Sequence, residues 1–258
     1  MRRVVFASAG LALCVAAGGV WARGSSGRIP AYIKAAVDNP SRPAADRGRD
    51  ANRKPEQVLA FAHVRPGLRV AELEPAGGYY TRILCKAVGS SGHLYAVNFV
   101  LHFSPQQLKR MHGRRMGPMP APKTDCHNVT YSVQAATALK LPSRLDMVWT
   151  AENYHDFHNA EFGNPDMKAF DRTVFDALEP GGVFIVEDHA AAPGSGARDT
   201  NTLHRIDPAL VKRELESVGF RYVGQSSVLR NPKDDHTQIV FKMIDKTDRF
   251  LFEFRKPR

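Results

Sequence analysis

Histidines and carboxylates follow two short apolar runs of the sequence and are its best candidates for proton-transfer chemistry. The run that ends at Thr150 is followed by the segment 153–158, NYHDFH, and the run that ends at Val186 is followed by Asp188 and His189. Histidine titrates near neutral pH, and a neighbouring carboxylate can orient its ring. We therefore predict an acid/base site. Its catalytic candidates are His155, Asp188, His189 and Tyr154, joined by Asp156 and His204, and the preferred bases are His155 and Asp188.

Two other interpretations of these residues stay open. The Asp156 carboxylate can instead cap a following helix. The histidines can also ligate zinc or another divalent ion, and the possible ligands are His155, His158, Asp188, His189 and His204. A spacing of three residues brings two histidines to one side only within a helix, so this pattern is not diagnostic. We assign no metal ligand from the sequence and retain a metal-assisted hydrolase as an alternative function.

A second candidate site lies where an apolar run meets two adjacent glycines. Residues 70–81 read VAELEPAGGYYT. Gly77 and Gly78 allow the backbone to approach a ligand closely, and Glu72 places a carboxylate beside the start of the following helix. These features suit a nucleotide-like ligand, although a plain strand-to-helix turn also needs a glycine.

Short apolar runs alternate with helical patterns from residue 55 onward, which predicts a parallel sheet with helices on both faces. The predicted strands are Leu68–Leu73, His93–Asn98, Val129–Val133, Leu145–Thr150 and Val183–Val186. Three later strand-like runs predict an antiparallel end to the sheet, and they are Phe220–Val228, Gln238–Ile244 and Arg249–Phe254. Ligands bind outside the carboxyl ends of the strands in such sheets, so we expect both candidate sites to face one crevice.

Several of these segments resemble class I S-adenosylmethionine-dependent methyltransferases. The turn in residues 70–81 is similar to the first motif of that family, and the segment 178–186, LEPGGVFIV, is similar to its turn before strand five. The start of strand four matches at Asp146 to Val148. This resemblance extends from about Pro55 to the C-terminus. It implies a doubly wound, Rossmann-like α/β fold whose seven-stranded sheet is mostly parallel, with antiparallel C-terminal strands.

The resemblance also implies S-adenosylmethionine as the cofactor and methyl transfer to a small-molecule acceptor. The cofactor-binding positions that it assigns are Glu72, Gly77, Gly78, Asn98 and Gln134. Further segments are similar to a bacterial family of predicted exported methyltransferases, and they are 153–158, 188–189, 193–196 and 199–205.

The chain departs from the family pattern at the cofactor positions. Glu74 and Ala76 stand in the first two glycine positions of the first motif. Asn98 stands where an acid holds the ribose hydroxyls, and an amide lacks the charge-assisted strength of a carboxylate. Gln134 replaces an acid near the adenine. The departures imply weaker cofactor binding and favour, as another alternative, a non-catalytic ligand-binding protein on this fold.

The N-terminal segment predicts export. Arg2 and Arg3 precede an uncharged apolar run that ends at Val20, and Val20 to Ala22 fits a signal peptidase site. We divide the chain into a signal peptide (1–22), a basic, flexible arm (23–54) rich in proline and basic residues, and a methyltransferase-like domain (55–258). The mature protein is expected to be periplasmic or secreted, without stable insertion in a membrane.

Charge and cysteine content leave the partners broadly open. The 36 Lys and Arg residues outnumber 26 Asp and Glu residues, giving a net charge of +10, but no nucleic-acid-binding motif accompanies this excess. We therefore expect no specific nucleic-acid partner, and the oligomeric state is left open. In an oxidising compartment Cys85 and Cys126 would either pair or stay buried.

Overall fold

The computed structural model describes residues 28–105 and 119–258. The predicted signal peptide, the first five residues of the arm and residues 106–118 lie outside the described residues. Within the described ranges, the helices are too short or too polar to cross a membrane.

Seven strands form one sheet in the order β3-β2-β1-β4-β5-β7-β6. The strands are β1 (Arg69–Leu73), β2 (His93–Phe99), β3 (Val129–Gln134), β4 (Leu145–Ala151), β5 (Leu178–His189), β6 (Arg221–Ser226) and β7 (Arg249–Arg255). The first five strands are parallel, and β7 pairs antiparallel with both β5 and β6. This confirms the predicted fold class, a doubly wound, Rossmann-like sheet with antiparallel C-terminal strands.

Helices cover both faces of the sheet. They are α1 (Ala31–Val37), α2 (Ala44–Arg47), α3 (Asp50–Arg53), α4 (Pro55–Phe61), α5 (Tyr79–Val88), α6 (Met167–Ala177) and α7 (Pro208–Ser217). Side chains alternate between the faces of a strand, and in β4 this sends Trp149 into the core beneath α1, α4 and α5, while Val148 joins the core beneath α6 and α7. The sheet is thus packed on both faces, and the site lies at its carboxyl edge.

The strand expected over Gln238–Ile244 does not form. Val240–Lys242 is instead one turn of 3-10 helix in a loop that reaches over the carboxyl edge of the sheet. Its apolar residues resemble a strand in the sequence, but β7 already occupies the place between β5 and β6. Val240 is buried, whereas Phe241 is 63% exposed.

Residues 28–54 differ from the expected flexible arm, because they form α1, α2 and α3. Ile33 and Val37 of α1 are buried against the core beneath α5. Two basic residues of the segment have an acidic partner far along the chain, since Arg49 and Arg53 both pair with Asp245. Partners so far along the chain cannot be identified from the local sequence, so these ion pairs were not expected.

Cys85 and Cys126 form a disulfide. It joins α5 to the segment that precedes β3 and closes a loop between positions 41 residues apart. The choice that the sequence left open, pairing or simple burial, is thus decided in favour of pairing.

Candidate functional site

A cavity of about 310 Å³ opens at the carboxyl edge of the sheet. The loops after β1 and β4 form two of its walls, and the end of β5 supplies His189. The segment before α4 contributes Asp46, Arg49 and Arg53, and the 3-10 turn at Val240 closes the cavity from above. The glycine turn and the histidine segments therefore line the same crevice.

The loop after β1 keeps a backbone that normally requires glycine. Glu74 and Ala76 adopt left-handed conformations, with φ of 50° and 46°, and Gly78 follows at 81°. A non-glycine residue in this region costs on the order of 1 kcal/mol or more, so two such residues indicate a shape imposed by the surrounding fold.

The two glycines of this loop have different tasks. A Cβ atom on Gly78 would lie 2.3 Å from Cβ of Pro122, so Gly78 permits the loop to pack against residues 119–123. A Cβ atom on Gly77 would meet nothing within 4 Å, and Gly77 lines the cavity. The close approach of a ligand expected at both positions is therefore possible at Gly77, whereas Gly78 serves packing.

Two buried carboxyl groups border the loop. Glu72 accepts a hydrogen bond from Thr81 Oγ1 at 2.7 Å, and burial raises the pKa of its carboxyl group to about 7. Glu74 accepts a hydrogen bond from the backbone N–H of Phe99 at 3.1 Å, and burial raises its pKa to about 8. Both groups line the cavity and carry protons over part of the neutral pH range.

The other two predicted cofactor residues contribute to no described cavity wall. Asn98 is fully buried, and its Nδ2 donates to the Met119 carbonyl at 3.0 Å and to the Tyr131 hydroxyl at 2.9 Å. Its Oδ1 has no partner among the described residues. The Gln134 side chain closes a turn with the backbone of Lys140.

Asp188 holds His155 in place from beneath the cavity. Its Oδ1 lies 2.8 Å from His155 Nδ1, and its Oδ2 accepts the backbone N–H of His155 at 2.7 Å. Asp188 is fully buried and does not reach the cavity, so it acts as a positioning residue for His155. Burial alone would lower the pKa of His155, but Asp188 and Asp156 outweigh it and hold that pKa well above its usual value.

Asp156 and His204 complete a cluster with His155 on the cavity wall. Asp156 Oδ1 lies 3.2 Å from His155 Nε2 and 3.3 Å from His204 Nδ1. His204 comes from the long loop between β5 and α7, and 27% of its side chain is exposed. A sequence separation of 49 residues thus becomes direct contact between two imidazole rings.

Three other polar residues of the predicted set have separate surroundings. Tyr154 is buried away from the cavity, with its hydroxyl between the carboxylates of Asp171 and Glu214. His158 lies 3.3 Å from the same Glu214. His189 lines the cavity, but its Nδ1 is hydrogen-bonded to Thr247 Oγ1 and burial lowers its pKa to about 4, so it is neutral near pH 7.

Sequence reasoning missed the charged wall of the cavity. Glu152 pairs with Arg53 and with Arg249, which also binds Glu187. Burial opposes ionisation of Glu152, but the positive charges around it, Arg53 foremost, lower its pKa to about 2. One signal was present in the sequence: the spacing of Asp46, Arg49, Asp50 and Arg53 by three or four residues is typical of charged partners on a helix.

A second cavity of about 520 Å³ adjoins the first. Glu74, Asp156 and His204 belong to both, so the cluster and the β1 loop lie at the junction. The walls specific to the second cavity are largely apolar, and they include Leu101, Phe103 and Phe162, together with Asn159, Glu161 and Asn201. One cavity is therefore strongly charged, and its neighbour suits a flat, weakly polar group.

Solved structures show the same fold. A SAM-dependent methyltransferase from Aquifex aeolicus is 16% identical, and the match covers 86% of this chain and 96% of that one with a TM-score of 0.51. An S-adenosylmethionine-dependent methyltransferase from Mesorhizobium loti is 18% identical, with coverage of 81% and 100% and a TM-score of 0.52. No protein-family model matches the sequence, and no curated protein matches it either. At this level of identity, the likeness concerns the fold.

Proposed function

We propose that this protein transfers a methyl group from S-adenosylmethionine to a small-molecule acceptor. The observation that carries the proposal is the loop after β1. It retains a glycine-like backbone at Glu74 and Ala76, and it leaves Gly77 open to the cavity. The methyltransferase fold of the solved structures supports the same reading of the site.

The residues at the carboxyl edge fit such a donor. Gly77 leaves room for a ligand against the backbone, and the carboxyl group of Glu74 offers hydrogen bonds at the junction of the two cavities. The apolar walls of the second cavity suit a purine ring. In the first cavity, Arg49 offers a positive charge and Glu72 offers a carboxyl group, and both can bind the amino-acid end of S-adenosylmethionine.

When bound, S-adenosylmethionine supplies an electrophilic methyl group on a sulfonium, and transfer leaves S-adenosylhomocysteine. The chain's own residues position the acceptor and handle its proton. His204 is partly exposed at the junction of the two cavities, where it can contact an acceptor. The ion pair between Arg53 and Glu152 forms part of the wall of the first cavity.

Calorimetric titration of the full chain with S-adenosylhomocysteine and with S-adenosylmethionine tests the proposal. We expect saturable, micromolar binding of at least one of them. Gly77→Leu should abolish binding because its side chain would fill the open space, whereas Gly77→Ala should bind almost normally. Thermal unfolding of both variants checks that the fold is intact. Failure of the wild-type protein to bind at millimolar ligand would refute the proposal.

The contacts of Asn98 and Gln134 favour one alternative, a non-catalytic ligand-binding protein. Both side chains are committed to protein partners instead of a cavity. Binding of S-adenosylhomocysteine without methylation of any acceptor in a panel of small nucleophiles would support this alternative over methyl transfer.

We further propose that the protein works outside the cytoplasm, as the exported methyltransferases that it resembles are predicted to do. The apolar run after Arg2 and Arg3 supports export. The Cys85–Cys126 disulfide also supports an oxidising compartment. Fractionation of cells and the intact mass of the protein test this: a periplasmic or secreted species that begins at Arg23 is expected, and a cytoplasmic full-length chain would contradict it.

A further inference from the structure

We propose that His155, Asp156 and His204 form a binding site for a divalent transition-metal ion, zinc or iron(II), at the junction of the two cavities. The three ligand atoms are His155 Nε2, Asp156 Oδ1 and His204 Nδ1. They form a nearly equilateral triangle with edges of 3.2, 3.3 and 3.3 Å. The inference is independent of methyl transfer, because metal binding is measured without any donor or acceptor.

The size of this triangle matches a metal ion. Its centre lies about 1.9 Å from each corner, and zinc binds imidazole nitrogen and carboxylate oxygen at about 2.0 to 2.2 Å. An ion placed just off the plane of the triangle therefore meets all three atoms at bonding distance, without movement of the backbone. Two histidines and one carboxylate on one face are also a ligand set of non-haem iron(II) sites.

The two imidazole rings are turned toward a common point. Their centroids are 5.3 Å apart, whereas His155 Nε2 and His204 Nδ1 are 3.3 Å apart. The nitrogen edges thus face each other, and the ring planes are nearly perpendicular at 88°. Stacked rings would show similar separations for centroids and nitrogens, so the rings meet through their nitrogen edges and not through their faces.

Asp188 supplies the outer-shell partner that metal-binding histidines usually have. Its carboxylate lies 2.8 Å from His155 Nδ1, which is the nitrogen remote from the cluster. A carboxylate at this position fixes the tautomer with hydrogen on Nδ1 and presents the Nε2 lone pair to the ion.

The site is reachable and incompletely coordinated by the protein. His155 is buried, but the Asp156 and His204 side chains are 21% and 27% exposed and line both cavities. Three protein ligands leave positions free for water or for a small molecule in the cavity. This ligand set differs from the possible ligands named from the sequence, because it includes Asp156. Asp188 contacts His155 instead of the ion, and His158 and His189 are not part of the set.

Metal titration of the full chain tests the inference. The protein is purified without a polyhistidine tag, stripped with EDTA, and titrated with zinc by calorimetry and with cobalt(II) by visible absorption. We expect one ion per chain, micromolar or tighter, with d–d bands of bound cobalt, and no comparable binding of magnesium. Metal analysis of protein purified without chelator distinguishes zinc from iron.

Single variants locate the ion. Asp188→Asn, which removes only the partner of a ligand, should lower zinc affinity roughly 10- to 100-fold. Asp156→Ala and His204→Ala each remove a ligand and should lower zinc affinity by more than that. His63→Ala is the matched control, because this histidine is 75% exposed and remote from the cluster. His204 lies on a partly exposed loop, so its variant should fold even if that of Asp156 does not.

Two results would overturn the inference. One is a wild-type protein that binds neither zinc nor cobalt stoichiometrically, which would mean that protons alone hold the cluster together. The other is wild-type affinity and an unchanged cobalt spectrum in the folded His204→Ala variant, which would place any bound ion elsewhere.

Discussion

The carboxyl group of Glu74 accepts a hydrogen bond from the backbone N–H of Phe99 at 3.1 Å. Phe99 follows Asn98, the position at which the resemblance to methyltransferases calls for an acid. The loop after β1 thus brings a carboxyl group to the end of β2, beside an asparagine whose own side chain is covered by residue 119. The carboxyl group at the end of β2 therefore comes from the loop after β1 and not from β2 itself.

Glu74→Ala should weaken binding of S-adenosylhomocysteine by about tenfold, the cost of one lost hydrogen bond in a partly buried site. Alanine is as strained as glutamate at the positive φ of this position, so the substitution tests the loss of the carboxyl group alone. Calorimetry at constant pH gives the affinities. Asn98→Ala is the counterpart and should change affinity less than Glu74→Ala, because Asn98 faces protein atoms. A larger loss of affinity in Asn98→Ala than in Glu74→Ala would show that Asn98, and not Glu74, contacts the ligand.

Stability should fall between mildly acidic and neutral pH through Glu72. Burial raises the pKa of its carboxyl group in the folded protein to about 7, whereas the same group in the unfolded chain titrates near 4.5. Between these values the unfolded chain loses its proton and the folded protein keeps it, so rising pH favours unfolding. At about 1.4 kcal/mol per pH unit, this amounts to about 3 kcal/mol.

Glu72→Gln removes this titration. The free energy of unfolding of the variant minus that of wild type should be about 2 to 3 kcal/mol larger at pH 8 than at pH 5. Urea unfolding of both proteins at the two pH values measures the difference. A stability difference that is the same at pH 5 and pH 8 would show that Glu72 ionises normally in the folded protein.

Loss of the disulfide should lower the free energy of unfolding by about 4 kcal/mol, given a closed loop with ends 41 residues apart. Cys126→Ser should therefore unfold at lower urea concentration than wild type, and addition of a reductant should bring wild type to the level of the variant. Insensitivity of the wild-type protein to reductant would contradict the pairing of Cys85 with Cys126.

Arg53→Met should destabilise the protein by about 3 kcal/mol, since it removes a partner of the Glu152 carboxylate, which is only 15% exposed. Asp245 would lose one of its two arginine partners as well. Urea unfolding measures the change, and limited trypsin digestion should then cut within residues 28–54. Arg65→Met is the control, because an exposed arginine contributes little. Equal effects of the two substitutions would disprove the anchoring role of Arg53.

Local sequence patterns were enough to predict the sheet and the edge at which the site lies. Runs such as Leu145–Thr150 are apolar over the length of one strand, and turn residues bound them, so local patterns were sufficient to predict the element. Parallel strands bring their carboxyl ends together, so the strand pattern alone predicts Glu72, His155 and His189 at one edge. The run Gln238–Ile244 shows the limit of this reasoning, since composition cannot tell a strand from an apolar loop when another strand takes its place.

Tertiary structure alone decided which side chains meet. Arg53 reaches Glu152 across 99 residues, and His204 reaches His155 across 49. It also turned Asn98 and Tyr154 away from the cavity and brought Glu74 to the end of β2. Periodicity reports the burial of a side chain within its own element, but contacts between distant elements depend on how helices and loops pack on the sheet. That packing fixes the charge, the ligand set and the shape of the site.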